Sequence, residues 1–236
     1  MNNTYAALNY SLCSVLAYTA GGIIFYFEAK RKKMISEKFL YIILAALLGG
    51  LIGSRLGSAL FVYREFYFKN PLMIFSPVAG GKTVVGGLIG GYFGVITAKR
   101  IFNINRSTGD VFAPGLALGI AIGRIGCFLN GCCYGTVSNL PWSIRINGQL
   151  VHPTQIYESL FCFLLFIFLW VIRSRVRKEG DLFKIFLLIY SFFRFWIEFL
   201  RGDKVIFIFS LSIAQVLSAS VFLLLSFYFL RPKRVA

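Results

Sequence analysis

Seven apolar runs divide this chain from end to end, at residues 6–27, 39–62, 84–98, 111–129, 155–172, 182–200 and 205–230. A lipid interior has no water to satisfy backbone N–H and C=O groups, so a run of this kind folds as a helix that closes its own hydrogen bonds. About 20 apolar residues span the ~30 Å hydrocarbon layer. Only 14% of the residues are charged and the mean hydropathy is +0.74, whereas a soluble domain carries roughly 25% charge. The expectation is an all-α polytopic membrane helix bundle of about seven transmembrane helices, forming a single integral-membrane domain over residues 1–236. The third run is short and rich in glycine, which predicts a tilted or broken helix buried against protein.

The basic residues orient this bundle. Lys30, Arg31, Lys32, Lys33 and Lys38 follow the first run, Lys99, Arg100 and Arg106 the third, Arg173, Arg175, Arg177 and Lys178 the fifth, and Arg231, Lys233 and Arg234 the last. In an alternating topology all of these fall on one face. The opposite face holds only Arg64, Lys69, Lys82, Arg145, Arg201 and Lys204. The positive-inside rule puts the N-terminus outside and the C-terminus in the cytoplasm. The net charge of +16 is thereby assigned to topology and membrane lipids, not to nucleic acid. The first run has no positive n-region and no small-residue cleavage site, so it reads as a retained helix.

A charge at membrane depth costs on the order of 3 kcal/mol or more and is usually functional. Arg124 sits within the fourth run, in Gly123-Arg124-Ile125-Gly126-Cys127-Phe128-Leu129-Asn130-Gly131-Cys132-Cys133-Tyr134-Gly135. Its flanking glycines leave room for a ligand or a second helix. Arg55 lies late in the second run, and Arg194 and Glu198 share a face of the sixth at four-residue spacing. Each has a bland alternative. Arg55 snorkels, Arg194 and Glu198 form a structural pair, His152 and Gln155 serve a helix start, and Glu158 and Gln215 act as interhelical hydrogen-bonders. Taken together, arginines in the outer half of a bundle form an electropositive cavity. The planar guanidinium fork suits a phosphate, and the phosphate-bearing ligand native to a membrane is a phospholipid.

Gly123-Arg124-Ile125-Gly126-x-Phe128-x-Asn130-Gly131 resembles the signature of the phosphatidylglycerol–prolipoprotein diacylglyceryl transferase family. Further motifs follow in the family's order: Gly53-Ser54-Arg55-Leu56-Gly57, the glycine-rich Gly80 to Gly90 segment, His152-Pro153-Thr154-Gln155-Ile156-Tyr157-Glu158, Arg194-x-x-x-Glu198-Phe199-x-Arg201 and Leu211-Ser212-x-x-Gln215. The resemblance implies an enzyme of the bacterial cytoplasmic membrane. Its substrates are phosphatidylglycerol and a prolipoprotein signal peptide with a lipobox cysteine. The diacylglyceryl group passes to that thiol, a thioether forms and glycerol-1-phosphate leaves, with no metal or organic cofactor implied. Arg124, Arg194, Glu198 and His152 are the implied catalytic set. Arg55, Asn130, Gly123, Gly126, Gln155, Tyr190 and, by a looser match, Tyr10 are the implied substrate-binding residues. Two alternatives stand beside this: a divergent paralogue with another donor or acceptor, and a non-catalytic phospholipid binder or transporter.

The chain departs from the family pattern where the chemistry is sensitive. Val85 stands where the family usually has a histidine, Cys132 where it has a glutamate, and Cys127 where it has an asparagine. The acceptor thiol, with a pKa of ~8.5, must still lose its proton. His152 or the arginine field are the candidates. Cys127, Cys132 and Cys133 read first as small packing residues. A zinc site with His152, a covalent thiol relay and a disulfide remain as alternatives.

Overall fold

The computed structural model describes residues 3–61, 63–75, 83–146, 148–204, 206–208 and 210–231, without the side chains of 3–7, 61, 75, 84, 207 and 208. Val62, Gly80, Gly81, Lys82, Val205, Lys233 and Arg234 lie outside the described residues. Among the described residues there are eight α-helices: α1 (Asn3–Arg31), α2 (Glu37–Phe61), the short α3 (Arg64–Lys69), α4 (Val84–Ile101), α5 (Gly109–Leu129), α6 (Thr154–Ile172), α7 (Asp181–Ile197) and α8 (Ile213–Leu230). Among the described residues, five stretches are long and apolar enough to cross a membrane: Leu8–Arg31, Glu37–Leu60, Gly109–Leu129, Thr154–Ile172 and Ile213–Leu230. The long apolar helices make this a polytopic membrane protein. Helices α4 and α7, with 18 and 17 residues, reach about 26 Å at ~1.5 Å per residue.

Two small antiparallel hairpins interrupt the all-helical expectation. Strand β1 (Ile144–Ile146) pairs with β2 (Gln149–Val151), and β3 (Ile206–Ile208) pairs with β4 (Leu211–Ser212). The second hairpin corrects the seventh run, expected as helix from 205. Residues 206–212 fold back at Ser210, whose φ is +62°, and α8 starts only at Ile213. A capping box fixes that start: Ser212 Oγ accepts from Gln215 N at 3.2 Å, and Gln215 Oε1 accepts from Ser212 N at 2.9 Å. Likewise α7 ends at Ile197 and passes into a single 3-10 turn, Glu198–Leu200.

The chain divides into two compact units, one of Met1–Lys32 with Ser107–Ala236, the other of Lys33–Arg106. In the second unit α2 lies on α4 along a glycine seam. Gly49, Gly53 and Gly57 meet Gly86, Gly90 and Gly94 at four-residue spacing. A Cβ on Gly53 would collide with the Gly86 carbonyl and stand 2.7 Å from Gly90 Cα; one on Gly94 would collide with the Ala45 carbonyl. Small residues at this spacing let two membrane helices touch backbone to backbone.

In the first unit α5 is the centre, with α1 and α6 against it. A Cβ on Gly115 of α5 would lie 2.7 Å from the Gly21 carbonyl of α1. Outward faces carry exposed Leu160, Phe163, Leu164, Phe168 and Val171 on α6, a surface suited to acyl chains. One end of this unit is tied by ion pairs. Buried Asp110 accepts from Gly180 N at 2.9 Å, Phe183 N at 3.1 Å and Lys32 Nζ at 2.9 Å. Buried Glu28 pairs with Arg31 at 2.6 Å and Arg173 at 2.8 Å, and Lys184 Nζ donates to Tyr228 Oη at 2.8 Å. The basic ends of α1, α6 and α8 therefore lie together with the starts of α5 and α7. The other end holds the C-terminus of α5, the start of α6 and both hairpins.

Candidate active site

At that opposite end, charged side chains of three helices converge inside the first unit. Arg124 comes from the last turns of α5, Glu158 from the second turn of α6, and Tyr190 and Arg194 from α7. All are buried, with relative exposures of 7% for Arg124, 1% for Glu158, 5% for Tyr190 and 8% for Arg194. Glu158 is the hub. Its Oε1 accepts from Arg124 Nη2 at 2.8 Å and from Tyr190 Oη at 3.2 Å, while its Oε2 faces Arg194 Nη1 at 3.8 Å. Arg194 Nη2 reaches Glu198 Oε2 at 2.8 Å, the pair that four-residue spacing predicts.

The chain then extends the cluster past α7. The 3-10 turn carries Glu198 towards α8, where Ser212 Oγ donates to Glu198 Oε1 at 2.9 Å. Ser212 thus caps α8 and holds a carboxylate of the cluster with one side chain. Arg201, buried at 9% exposure, lies 3.7 Å from Glu198 and makes a two-pronged contact with Asp203 at 2.9 and 2.7 Å. Burial is the largest influence on Arg201 and works against its charge, but the hydrogen bond to Asp203, the charge of that carboxylate and its other neighbours together push the guanidinium pKa up.

Three buried guanidinia thus meet two buried carboxylates, with the exposed Asp203 as a third carboxylate on Arg201. The cluster also holds buried polar atoms without hydrogen-bond partners among the described residues. Arg124 Nε and Arg194 Nη1 are buried without a hydrogen-bond partner among the described residues. Each such orphan costs roughly 1–3 kcal/mol. Beside Arg124 the space is open: a Cβ on Gly123 would meet nothing within 4 Å. Gly126 differs, since a Cβ there would lie 2.8 Å from Cys13 Cβ and 3.6 Å from the Tyr10 ring. Gly126 therefore lets α1 and its half-buried Tyr10 close on α5.

The remaining predicted residues sit around this core at different distances. Gln155 is buried one turn before Glu158, and its Nε2 donates to the Cys132 carbonyl at 2.6 Å. Its Oε1 is buried with no partner among the described residues. His152 pairs through its main chain with Gly135 and Thr136. Its Nδ1 lies 3.5 Å from Tyr157 Oη, which accepts from Trp142 Nε1 at 2.7 Å; the arginines are not among its partners. Asn130 is exposed at the C-terminus of α5, and the partner of Arg124 is Glu158. Arg55 is half-buried on α2, in the second unit. Cys127, Cys132 and Cys133 gather above Arg124, their sulfurs all within 4.8 Å of one another.

Glu158 and Arg201 are the two central groups that the residue-by-residue reading undervalued. Glu158 had a visible signal. It follows Gln155 by three residues and so shares its helix face, and it is a carboxylate inside an apolar run.

Comparison with known proteins adds a name to this geometry. The family model described as prolipoprotein diacylglyceryl transferase matches residues 4–231. The chain is 37% identical over 210 residues to the phosphatidylglycerol–prolipoprotein diacylglyceryl transferase of Clostridioides difficile strain 630, covering 89% of this chain and 84% of that protein. It is 34% identical over 215 residues to the protein of the same name from Finegoldia magna, covering 90% and 86%. A third, from Geobacter sulfurreducens, is 32% identical over 223 residues, covering 89% and 86%.

Proposed function

Since this chain belongs to the prolipoprotein diacylglyceryl transferase family, we propose that it transfers the diacylglyceryl group of phosphatidylglycerol to the lipobox cysteine of a prolipoprotein signal peptide. The observation that carries this is the pair of buried guanidinium donors left without partners among the described residues, Arg124 Nε and Arg194 Nη1, beside the open flank of Gly123. A phosphodiester supplies acceptor oxygens matched to the guanidinium fork.

The reaction asks little covalent work of the enzyme. The acceptor sulfur attacks the glyceryl carbon bound to phosphate. A C–S bond forms, the C–O bond breaks, and the electron pair leaves on the phosphate of glycerol-1-phosphate. Arg124 and Arg194 stabilise the charge that grows on that phosphate, a preorganised electrostatic task. Glu198 and Glu158 hold the two arginines. Tyr190 holds Glu158, and Gln155 and Asn130 shape the mouth with Tyr10. His152 takes the thiol proton, which ends on the released phosphate.

The whole chain acts as one integral-membrane domain, with α4 and α7 as two further spans beside the five long ones. The N-terminus is outside and the C-terminus cytoplasmic, in the bacterial cytoplasmic membrane. The ion-paired basic end of the first unit supports that orientation, because it places the arginine cluster at the outer end. The test combines purified protein, phosphatidylglycerol and a lipobox peptide. Glycerol phosphate release matched by a diacylglyceryl mass gain on the peptide is expected. Bound phospholipid with neither product overturns the transferase reading.

A further inference from the structure

The cysteine cluster has no task in the reaction just described, and its construction is unlike packing. Cys127 lies in the last turn of α5, three residues after Arg124 and so on the same face. The chain then winds tightly back. Cys132 N donates to the Cys127 carbonyl at 3.1 Å, and Gly131 and Cys133 both adopt left-handed backbone, with φ of +66° and +63°. Cysteine in that region costs on the order of 1 kcal/mol. The two positions turn the chain so that three sulfurs meet. The Sγ atoms of Cys132 and Cys133 lie 3.8 Å apart, and all three lie within 4.8 Å of one another. Three sulfurs at ~2.3 Å from one tetrahedral cation would be about 3.8 Å apart.

The backbone of this loop is fixed from outside. Thr154 Oγ1 donates to the Cys133 carbonyl at 2.9 Å and Gln155 Nε2 to the Cys132 carbonyl at 2.6 Å. Both donors come from the first turn of α6, which also presents Glu158. All three thiols are half-buried, so an ion and one outside ligand have access. The orientation is unsuited to simple hydrophobic fill, where thiols point into separate pockets as buried Cys13 and Cys162 do on α1 and α6.

We propose that Cys127, Cys132 and Cys133 form a three-thiolate site for a thiophilic closed-shell divalent cation of the zinc class, with its fourth position open to the acceptor cysteine. This rests on the transferase reading only for the identity of the fourth ligand. Three protein ligands with one open position is the arrangement of a reactive zinc site, not of a closed structural one. A metal-bound thiol is deprotonated outright. The acceptor S–H would give its proton to His152, the sulfur would take the fourth position as thiolate, and it would then attack the glyceryl carbon as above, the proton ending on the released phosphate. No electron transfer is involved. Three thiolates and a divalent cation would leave one negative charge near the guanidinia of Arg124 and Arg201.

The test uses the full-length reduced protein in detergent, without oxygen. Zn²⁺ titration is expected to load one ion per chain, and Co²⁺ to give a sulfur-to-metal charge-transfer band. Replacing Cys127, Cys132 and Cys133 together by Ser should remove both, while Cys162→Ala keeps them. Should the triple variant not fold, wild-type protein decides. Zn²⁺ should protect those three thiols, and not Cys13 or Cys162, from alkylation read by mass spectrometry. No tight loading, loading that survives the triple substitution, or a native disulfide within the cluster overturns the metal site. With Co²⁺ bound, a lipobox peptide should shift the band and its Cys→Ser counterpart should not. An unshifted band removes the fourth-ligand claim. Product formation is scored separately, so a failed transferase reading leaves the metal result legible.

Discussion

The two units solve the problem of holding membrane helices together in opposite ways. In the second unit, α2 and α4 meet through what is missing: six glycines at four-residue spacing, with backbone against backbone. In the first, α5, α6 and α7 meet around Arg124, Glu158, Arg194 and Glu198, four full charges out of water. The glycine seam is economical. It brings backbone against backbone and asks for no side chain at its closest points. The charged cluster is costly, since a buried ion pair often contributes less than an apolar replacement of equal volume. It also leaves buried polar atoms of its own without hydrogen-bond partners among the described residues. A packing device has no reason to keep Arg124 Nε and Arg194 Nη1 unpaired; a site for an anion does.

That contrast breaks first at Arg124. Arg124→Ala should lower transfer at least about thousandfold, the scale of removing a preorganised charge donor, while the protein still inserts and stays monodisperse. Near-normal release of glycerol phosphate would make the cluster structural after all. Glu158→Gln comes next. It keeps the shape and leaves two buried guanidinia without their shared partner, so a loss of roughly 3 kcal/mol in stability is expected, visible in thermal unfolding along with the activity. An unchanged melting temperature would remove Glu158 as the hub.

Arg194→Lys should cut transfer on the order of a hundredfold, because an ammonium is a point charge and cannot hold Glu198 and a phosphate in one plane. Full activity there would mean that any cation serves. The seam is sharpened by a matched pair. Gly53→Ala places a Cβ against the Gly86 carbonyl and should cost about 1–3 kcal/mol. Gly50→Ala, with its nearest atom at 3.5 Å, should cost no more than about 1 kcal/mol, within the ordinary range for a surface-compatible change. Equal effects would mean that the seam does not depend on close approach. The smallest change is expected at His152. His152→Asn should slow transfer by about tenfold, less than general-base removal usually does, because the imidazole partners Tyr157 and the cysteine cluster shares the task of thiol activation. Complete loss would make His152 the sole base.

Much of the fold was legible from hydropathy alone. The runs at 111–129 and 155–172 became α5 and α6 almost to the residue, because a bilayer selects on length and polarity, and both are local. The run from 205 misled for the same reason. Ile206, Phe207 and Ile208 are apolar enough for a span, yet they pair as a hairpin, and the helix waits for the Ser212–Gln215 cap. That cap was written in the sequence as S-x-x-Q. It went unread as a helix start because an apolar context hides a local polar signal. The Arg194–Glu198 pair was legible because four residues make one helical turn.

The sequence by itself determined the family, the helical class and the presence of arginines at membrane depth, since each depends on residue type or on spacing along one helix. The tertiary structure alone decided who partners whom. Glu158 and Arg124 are 34 residues apart, and Tyr190 reaches Glu158 across 32 more, so no helical period links them. It also decided which glycine is open and which is packed. Gly123 and Gly126 look alike in the motif and at three-residue spacing lie towards one side of the helix. Only the packing of α1 separates them: a Cβ on Gly126 would meet Cys13, and one on Gly123 would meet nothing within 4 Å. The meeting of three sulfurs likewise needed a turn with two left-handed residues, a conformation that no pattern of cysteines in a linear sequence specifies.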